Sequence, residues 1–158
     1  MASEPGFDPL AILRVLAHHT VPYVVVGGFA VAAHKVVRAT RDLDLVTDRT
    51  WRAAQRLAAA LIDLEAEPIG DEAVTWTPEV LARPINVRIA TRYGEVHLLN
   101  ATDGIPSYLA MDRVTVRVEN VDVSVASLDA VRAMKRAAGR PKDLIDLAEL
   151  EVIHGPAK

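Results

Sequence analysis

Residues 24–48 read VVVGGFAVAAHKVVRATRDLDLVTD. A run of β-branched residues, Tyr23 to Val26, reads as a buried strand. Gly27-Gly28 reads as a turn, Phe29 to Val37 as an alanine-rich helix, Arg38 to Arg41 as a loop, and Asp42 to Val46 as a second strand. Side chains on a strand alternate between faces, so Asp42 and Asp44 share one face, with Cα atoms roughly 6.5–7 Å apart. Leu43 and Leu45 take the other face, toward a core. Two like charges this close repel, and one is driven toward neutrality unless a cation lies between them. Oxygen-only ligands suit a hard cation, Mg²⁺ or Mn²⁺, which completes its shell with substrate phosphates. The glycines expose backbone N–H groups at a helix start, where no side chain keeps a phosphate away. The spacing is neither the dinucleotide fingerprint nor the P-loop, because Phe29 and Ala30 follow the pair directly and Gly-Lys-Ser/Thr is missing.

Outward from this stretch, Asp8 to His19 has Leu10, Ile12, Leu13 and Leu16 at helical spacing. Asp48 or Thr50 is an N-cap for a helix running to about Leu61. Residues 68–84 carry turn residues and one short strand around Val74–Trp76. Asn86 to Ala90 and Glu95 to Leu99 read as strands joined at Tyr93-Gly94. Valines alternate on both sides of Glu119-Asn120, which predicts a β-hairpin with a two-residue turn. Ser127 caps a helix ending at Gly139, and Pro141 opens the last one. The expected order is α-β-α-β-α-(β)-β-β-α-β-β-α-α, an α/β (α+β) fold: a mixed β-sheet flanked by helices, with a C-terminal hairpin followed by two helices.

The chain has 158 residues, a length that suits one domain. We expect an N-terminal helix in 1–21, a sheet-and-helix core carrying the site in 22–126, and C-terminal helices in 127–158. There is no cysteine, which excludes disulfides, thiolate metal sites and cysteine nucleophiles. No apolar run approaches the ~18 residues needed to span a bilayer, and the start of the chain lacks the basic residues of a secretory signal. The expectation is a cytoplasmic protein with no membrane partner. The net charge of -3 argues against a coat of positive charge for nucleic acid, but leaves room for local basic groups at Lys135, Arg136, Arg140 and Lys142 and at Arg83, Arg88 and Arg92.

Val26-Gly27-Gly28, thirteen residues, then Asp42-Leu43-Asp44 resembles the signature of the polymerase-β-like nucleotidyltransferase superfamily. The stretch VASLDAVRAMKRAAGRPKDLIDLAEL, residues 125–150, looks like the small AbiEii-type nucleotidyltransferases of bacterial toxin–antitoxin systems. The resemblance implies the minimal nucleotidyltransferase fold, Mg²⁺ or Mn²⁺ as cofactor, and transfer of a nucleoside monophosphate from an NTP to an acceptor. The acceptor would be tRNA or a protein, and a cognate antitoxin a possible partner; an antibiotic hydroxyl is the alternative. It assigns the metal to Asp42 and Asp44 and the phosphates to Gly27, Gly28 and Lys135, with help from Thr40 and Arg41. One departure stands out. Relatives carry a third carboxylate, the base for the acceptor hydroxyl, on a strand reading V-D-L-L, and here that strand reads Val96-His97-Leu98-Leu99. Histidine serves as a base near pH 7 or as a metal ligand, with Glu95 on the same face to assist; otherwise His97 marks a catalytically silent nucleotide- or protein-binding relative.

Lys135 follows Val131 and Leu128 along the apolar stripe of its helix, so its ammonium wants an anion: a triphosphate or Asp143. Asp143 lies in the first turn of the last helix, where an acid suits the dipole. Asp146 is expected in solvent unless another element covers it, and Arg140 and Lys142 on a basic rim. His18, His19, His34 and His154 read as structural or surface groups, Trp51 and Trp76 as core or edge packing.

Overall fold

The computed structural model describes residues 6–70 and 73–158. Residues 1–5 of the expected N-terminal segment lie outside them. Helix α1 (Pro9–His18) is capped by Asp8, whose Oδ1 accepts from the Ala11 N–H, and buries Ile12, Leu13 and Leu16. Strand β1 (Tyr23–Val26) is buried along its whole length, as a strand covered on both faces must be. Helix α2 (Gly27–Ala33) follows with no connecting turn, so both glycines belong to its first turn. It ends before Val37 because Lys35 takes a left-handed φ of +79°, swinging Val36 into the core and leaving Val37 in solvent.

Strand β2 (Asp42–Thr47) buries Leu43 and Leu45 and leaves Asp42 and Asp44 half-buried on the opposite face, as the alternation requires. Helix α3 (Trp51–Asp63) is capped by Thr50, while Asp48 accepts from the Thr50 N–H just outside it. Trp51 is more than half exposed, contrary to the packing expected of it. The short strand of the next segment is β3 (Glu67–Pro68), not Val74–Trp76. Proline cannot donate to a ladder, which suits a two-residue edge strand. Trp76 instead donates its indole N–H to the Ala66 carbonyl at 2.7 Å. Helix α4 (Pro78–Leu81), capped by Thr77, was not expected.

Strands β4 (Asn86–Thr91) and β5 (Gly94–Leu99) form the first hairpin, and β6 (Arg113–Val118) and β7 (Val121–Ala126) the second. The helix expected between the two pairs is absent: Gly104 at φ +83° and Pro106 break the segment into turns. Glu119 and Asn120 both take positive φ, +44° and +70°, the pair of values a two-residue hairpin turn demands. Helix α5 (Leu128–Ala138), capped by Ser127, ends on Gly139 in the left-handed region. Helix α6 (Pro141–His154) completes the chain.

The seven strands form one mixed sheet in the order β3-β4-β5-β2-β1-β7-β6. β2 is central, antiparallel to β1 and parallel to β5. The register sets Asp42 opposite Glu95 and Asp44 opposite His97. α1 packs with α3, and α2 and α6 both pack with α5, enclosing one hydrophobic cluster. No helix among the described residues is long and apolar enough to cross a membrane.

Candidate active site

Asp42 and Asp44 come from β2, Glu95 and His97 from β5, and alternation along two registered neighbours puts all four on one face of the sheet. His97 Nδ1 lies 3.1 Å from Asp44 Oδ1, and its Nε2 is 3.4 Å from Glu95 Oε2 and 3.8 Å from Asp42 Oδ2. None of these contacts has hydrogen-bond geometry, so Asp44 Oδ1 and His97 Nε2 are buried atoms without a hydrogen-bond partner. Glu95 Oε1 accepts from Arg88 on β4 at 2.6 Å. Burial raises the pKa of Asp42 above the ordinary carboxylate value, and the charges of Asp44 and Glu95 add to it against the pull of His97. His97 is raised above the ordinary imidazole value, chiefly by the Asp44 carboxylate at its Nδ1, against burial.

Gly27 explains the first glycine. Its φ is +68°, and a Cβ there would fall 2.0 Å from Asp44 Oδ2. Only glycine lets the β1–α2 junction and the second aspartate occupy adjacent space. Gly28 has an ordinary φ, with Thr40 and Arg38 beside it.

These residues open onto a cavity of about 580 Å³. Asp42, Asp44 and His97 line it on one side, Gly27, Gly28 and Thr40 on another, and Arg38, Arg41, Lys135, Arg140 and Lys142 supply positive charge around it. The expected site residues are thus brought together from five parts of the chain. An adjoining space of about 220 Å³, walled by Val26, Leu99, Ile105, Met134 and Ala138, shares Gly27, Asp44 and Lys135 with it.

Beneath the basic wall lies an ion network. Lys135 Nζ sits 3.1 Å from Asp143 Oδ1 and 3.0 Å from Asp146 Oδ2. Arg38 reaches Asp146 at 2.6 Å, and Arg140 Nε reaches Asp143 at 2.7 Å. Asp143 also accepts from the Arg140 backbone N–H, as a first-turn acid should. Burial alone would raise the Asp143 pKa, but hydrogen bonds from Arg140 and Lys135 outweigh it and bring it to about 2. Asp146 is buried rather than solvated, because the Arg38 loop and Lys135 close over it. Arg38 was missed altogether: nothing local separates it from any other loop arginine. His34 Nε2 contacts the Ala126 carbonyl and His154 Nε2 the His34 carbonyl, which gives both a structural place.

The donor set fits a divalent cation. Asp42, Glu95 and His97 each offer a ligand atom, all within 4.8 Å of one another, and two buried polar atoms of the cluster lack partners.

Three solved structures are similar to this chain. The solution structure of the antibiotic-resistance factor ANT(2'')-Ia matches with a TM-score of 0.60 at 15% identity, over 91% of this chain and 80% of that one. The lincosamide antibiotic adenylyltransferase LnuA, solved lincomycin-bound, matches at 0.58 and 18% identity, over 96% of this chain and 98% of that one. ANT(2")-Ia in complex with adenylyl-2"-tobramycin matches at 0.57 and 14% identity, over 89% and 84%. At these identities the likeness is one of fold. No curated protein sequence matches the chain. The expected nucleotidyltransferase superfamily is correct, while the narrower AbiEii-type likeness has no counterpart among these matches. A family profile described as aminoglycoside-2''-adenylyltransferase matches residues 9–150. Matched over that span, the chain belongs to the aminoglycoside-2''-adenylyltransferase family and is an enzyme of the nucleotidyltransferase class.

Proposed function

We propose that the protein transfers a nucleoside monophosphate, AMP by the family's chemistry, from an NTP to a hydroxyl of a small antibiotic-type acceptor. The observation that carries this reading is the carboxylate–histidine cluster of β2 and β5 facing a cavity ringed by five cationic side chains, in a chain matched to an adenylyltransferase family. The basic wall suits a triphosphate, which needs several positive partners to leave water. Lys135 and Arg140 approach it from α5 and the start of α6, Arg38 and Arg41 from the α2–β2 loop. The backbone of Gly27 and Gly28 lets phosphate come close.

In the reaction the acceptor oxygen attacks the α-phosphorus, a P–O bond forms, and the α–β bridging P–O bond breaks to release pyrophosphate. The hydroxyl proton passes to the carboxylates of this face of the sheet, among which Asp44 lies beside the others. A divalent cation bound at Asp42 and its neighbours would supply positive charge to the developing phosphoryl oxygens. Positioning and charge neutralisation carry most of the rate in such transfers. Asp143 and Asp146 hold Lys135 and Arg38 in place at the wall, so the cationic side chains need little reorganisation when the nucleotide enters.

The toxin reading, with tRNA or protein as acceptor, rests on the C-terminal stretch; the family match favours the antibiotic acceptor over it. The test is incubation of the purified chain with labelled ATP, GTP, CTP or UTP, a divalent cation, and in turn an aminoglycoside panel, a lincosamide panel and total tRNA. Asp42→Asn serves as control. The expected result is label from ATP on an antibiotic and none with the variant. Label on tRNA alone would restore the toxin reading, and no label with any acceptor would favour the silent relative that His97 raised.

A further inference from the structure

The register that aligns Asp44 with His97 leaves one buried nitrogen with nothing to bond. His97 Nε2 has no hydrogen-bond partner, yet it points between two carboxylates, 3.4 Å from Glu95 Oε2 and 3.8 Å from Asp42 Oδ2. Glu95 is steadied on its far side, where Oε1 is taken by Arg88. The other ring nitrogen, Nδ1, faces Asp44 Oδ1 at 3.1 Å. With its proton on Nδ1, the imidazole turns the Nε2 lone pair toward Asp42 and Glu95. Nε2 is then free to ligate, while the Asp44 carboxylate stays within ion-pair distance of Nδ1.

We propose that the cation of this site is held by Asp42, Glu95 and His97, with the Asp44 carboxylate beside Nδ1 of the ring, and that the mixed oxygen–nitrogen donor set selects Mn²⁺ over Mg²⁺. The proposal rests on the nucleotidyltransferase reading only in expecting a divalent cation at the site. Its physical basis is ligand hardness. Mg²⁺ dehydrates reluctantly and gains little from imidazole, whereas Mn²⁺ accepts carboxylate oxygen and binds nitrogen more readily. An all-carboxylate site removes that difference. His97 then acts as a ligand and not as the base, and Glu95 contributes the third protein donor.

The experiment uses the full, nucleotide-free chain. Calorimetry gives the affinities for MnCl2 and MgCl2, and pulsed electron paramagnetic resonance of bound Mn²⁺ reads directly whether a ¹⁴N nucleus is coordinated. The expected result is Mn²⁺ preferred about tenfold or more, with imidazole nitrogen modulation. His97→Asp, which rebuilds an all-oxygen set, should lose the modulation and narrow the Mn²⁺/Mg²⁺ ratio about fivefold or more. Glu95→Gln should weaken Mn²⁺ while keeping the nitrogen signal, and serves if His97→Asp fails to fold. Bound Mn²⁺ without nitrogen modulation in the wild type overturns the proposal, as does equal affinity for the two ions. ATP binding is measured in the same samples. ATP bound without the nitrogen signal sinks this proposal alone; the signal and the ratio without ATP binding sink the proposed function and leave this one standing.

Discussion

Asp44 shows how much one side chain can ask of its surroundings. Its carboxylate touches His97 on one side and fills the space where a Gly27 side chain would stand on the other. Gly27→Ala is therefore expected to act twice. The left-handed φ costs about 1–2 kcal/mol for an alanine, and the methyl group pushes Asp44 out of register with His97. Urea unfolding should report the first effect, and metal-dependent ATP binding, weakened about tenfold or more, the second. Gly28→Ala, with ordinary φ and a Cβ in ordinary contact with Thr40 and Arg38, should change stability little. Asp143 is the other residue under load. Its folded pKa of about 2 lies below the ordinary 3.8, so the native state binds fewer protons than the unfolded chain across that interval. Stability from this group is then complete above about pH 4, amounts to about 2 kcal/mol, and is lost as pH falls toward 2. Asp143→Asn should cost about 3 kcal/mol at pH 7, because Lys135 and Arg140 lose a buried partner. Unfolding of wild type and variant at pH 2.5, 4 and 7 should show that difference shrinking toward the acid end.

At the scale of elements, local chemistry decided most boundaries. Thr50 and Ser127 cap α3 and α5 through their hydroxyls, and Gly139 stops α5. The β6–β7 turn is poorly suited to its residues, since Glu119 carries a Cβ at φ +44°. Glu119→Asn with Asn120→Gly, the preferred pair for such a turn, should stabilise the protein by about 0.5–1 kcal/mol without changing ATP binding, as thermal unfolding and nucleotide titration would show. Where sequence reading failed, the elements were short or irregular. α4 has four residues and β3 two, too few for either periodicity to register. The missing helix before β6 yielded to Gly104 and Pro106.

Across the whole molecule, α6 is the clamp. Leu150 is fully buried, Asp143 and Asp146 tie α6 to Lys135 of α5 and to Arg38 before β2, and Arg132 reaches the Gly155 carbonyl at its end. Leu150→Ala should cost about 3 kcal/mol in urea unfolding. Because the same helix holds the aspartates behind the basic wall, ATP affinity should fall with it, even under conditions where the variant remains folded. His97 responds in the opposite sense to Asp143. With its folded pKa raised above 6.5, it adds stability in the metal-free protein below that value and loses it as pH rises through the folded one.

The sequence alone determined the strand–Gly-Gly–helix–Asp-x-Asp unit, the caps, the second hairpin and the identity of nearly every group around the cavity. Those depend on period, backbone freedom and hydrogen bonding within a few residues of each position. It also marked His97 as a departure and Glu95 as its neighbour on the same face. Only the tertiary structure decided what these groups do to one another. The parallel pairing of β2 with β5 joins residues more than fifty positions apart, and strand register across such a distance leaves no local trace. Arg38 and Asp146 likewise meet only because the α2–β2 loop and α6 close on each other, and that closure turned an aspartate expected in solvent into a buried partner of two cations.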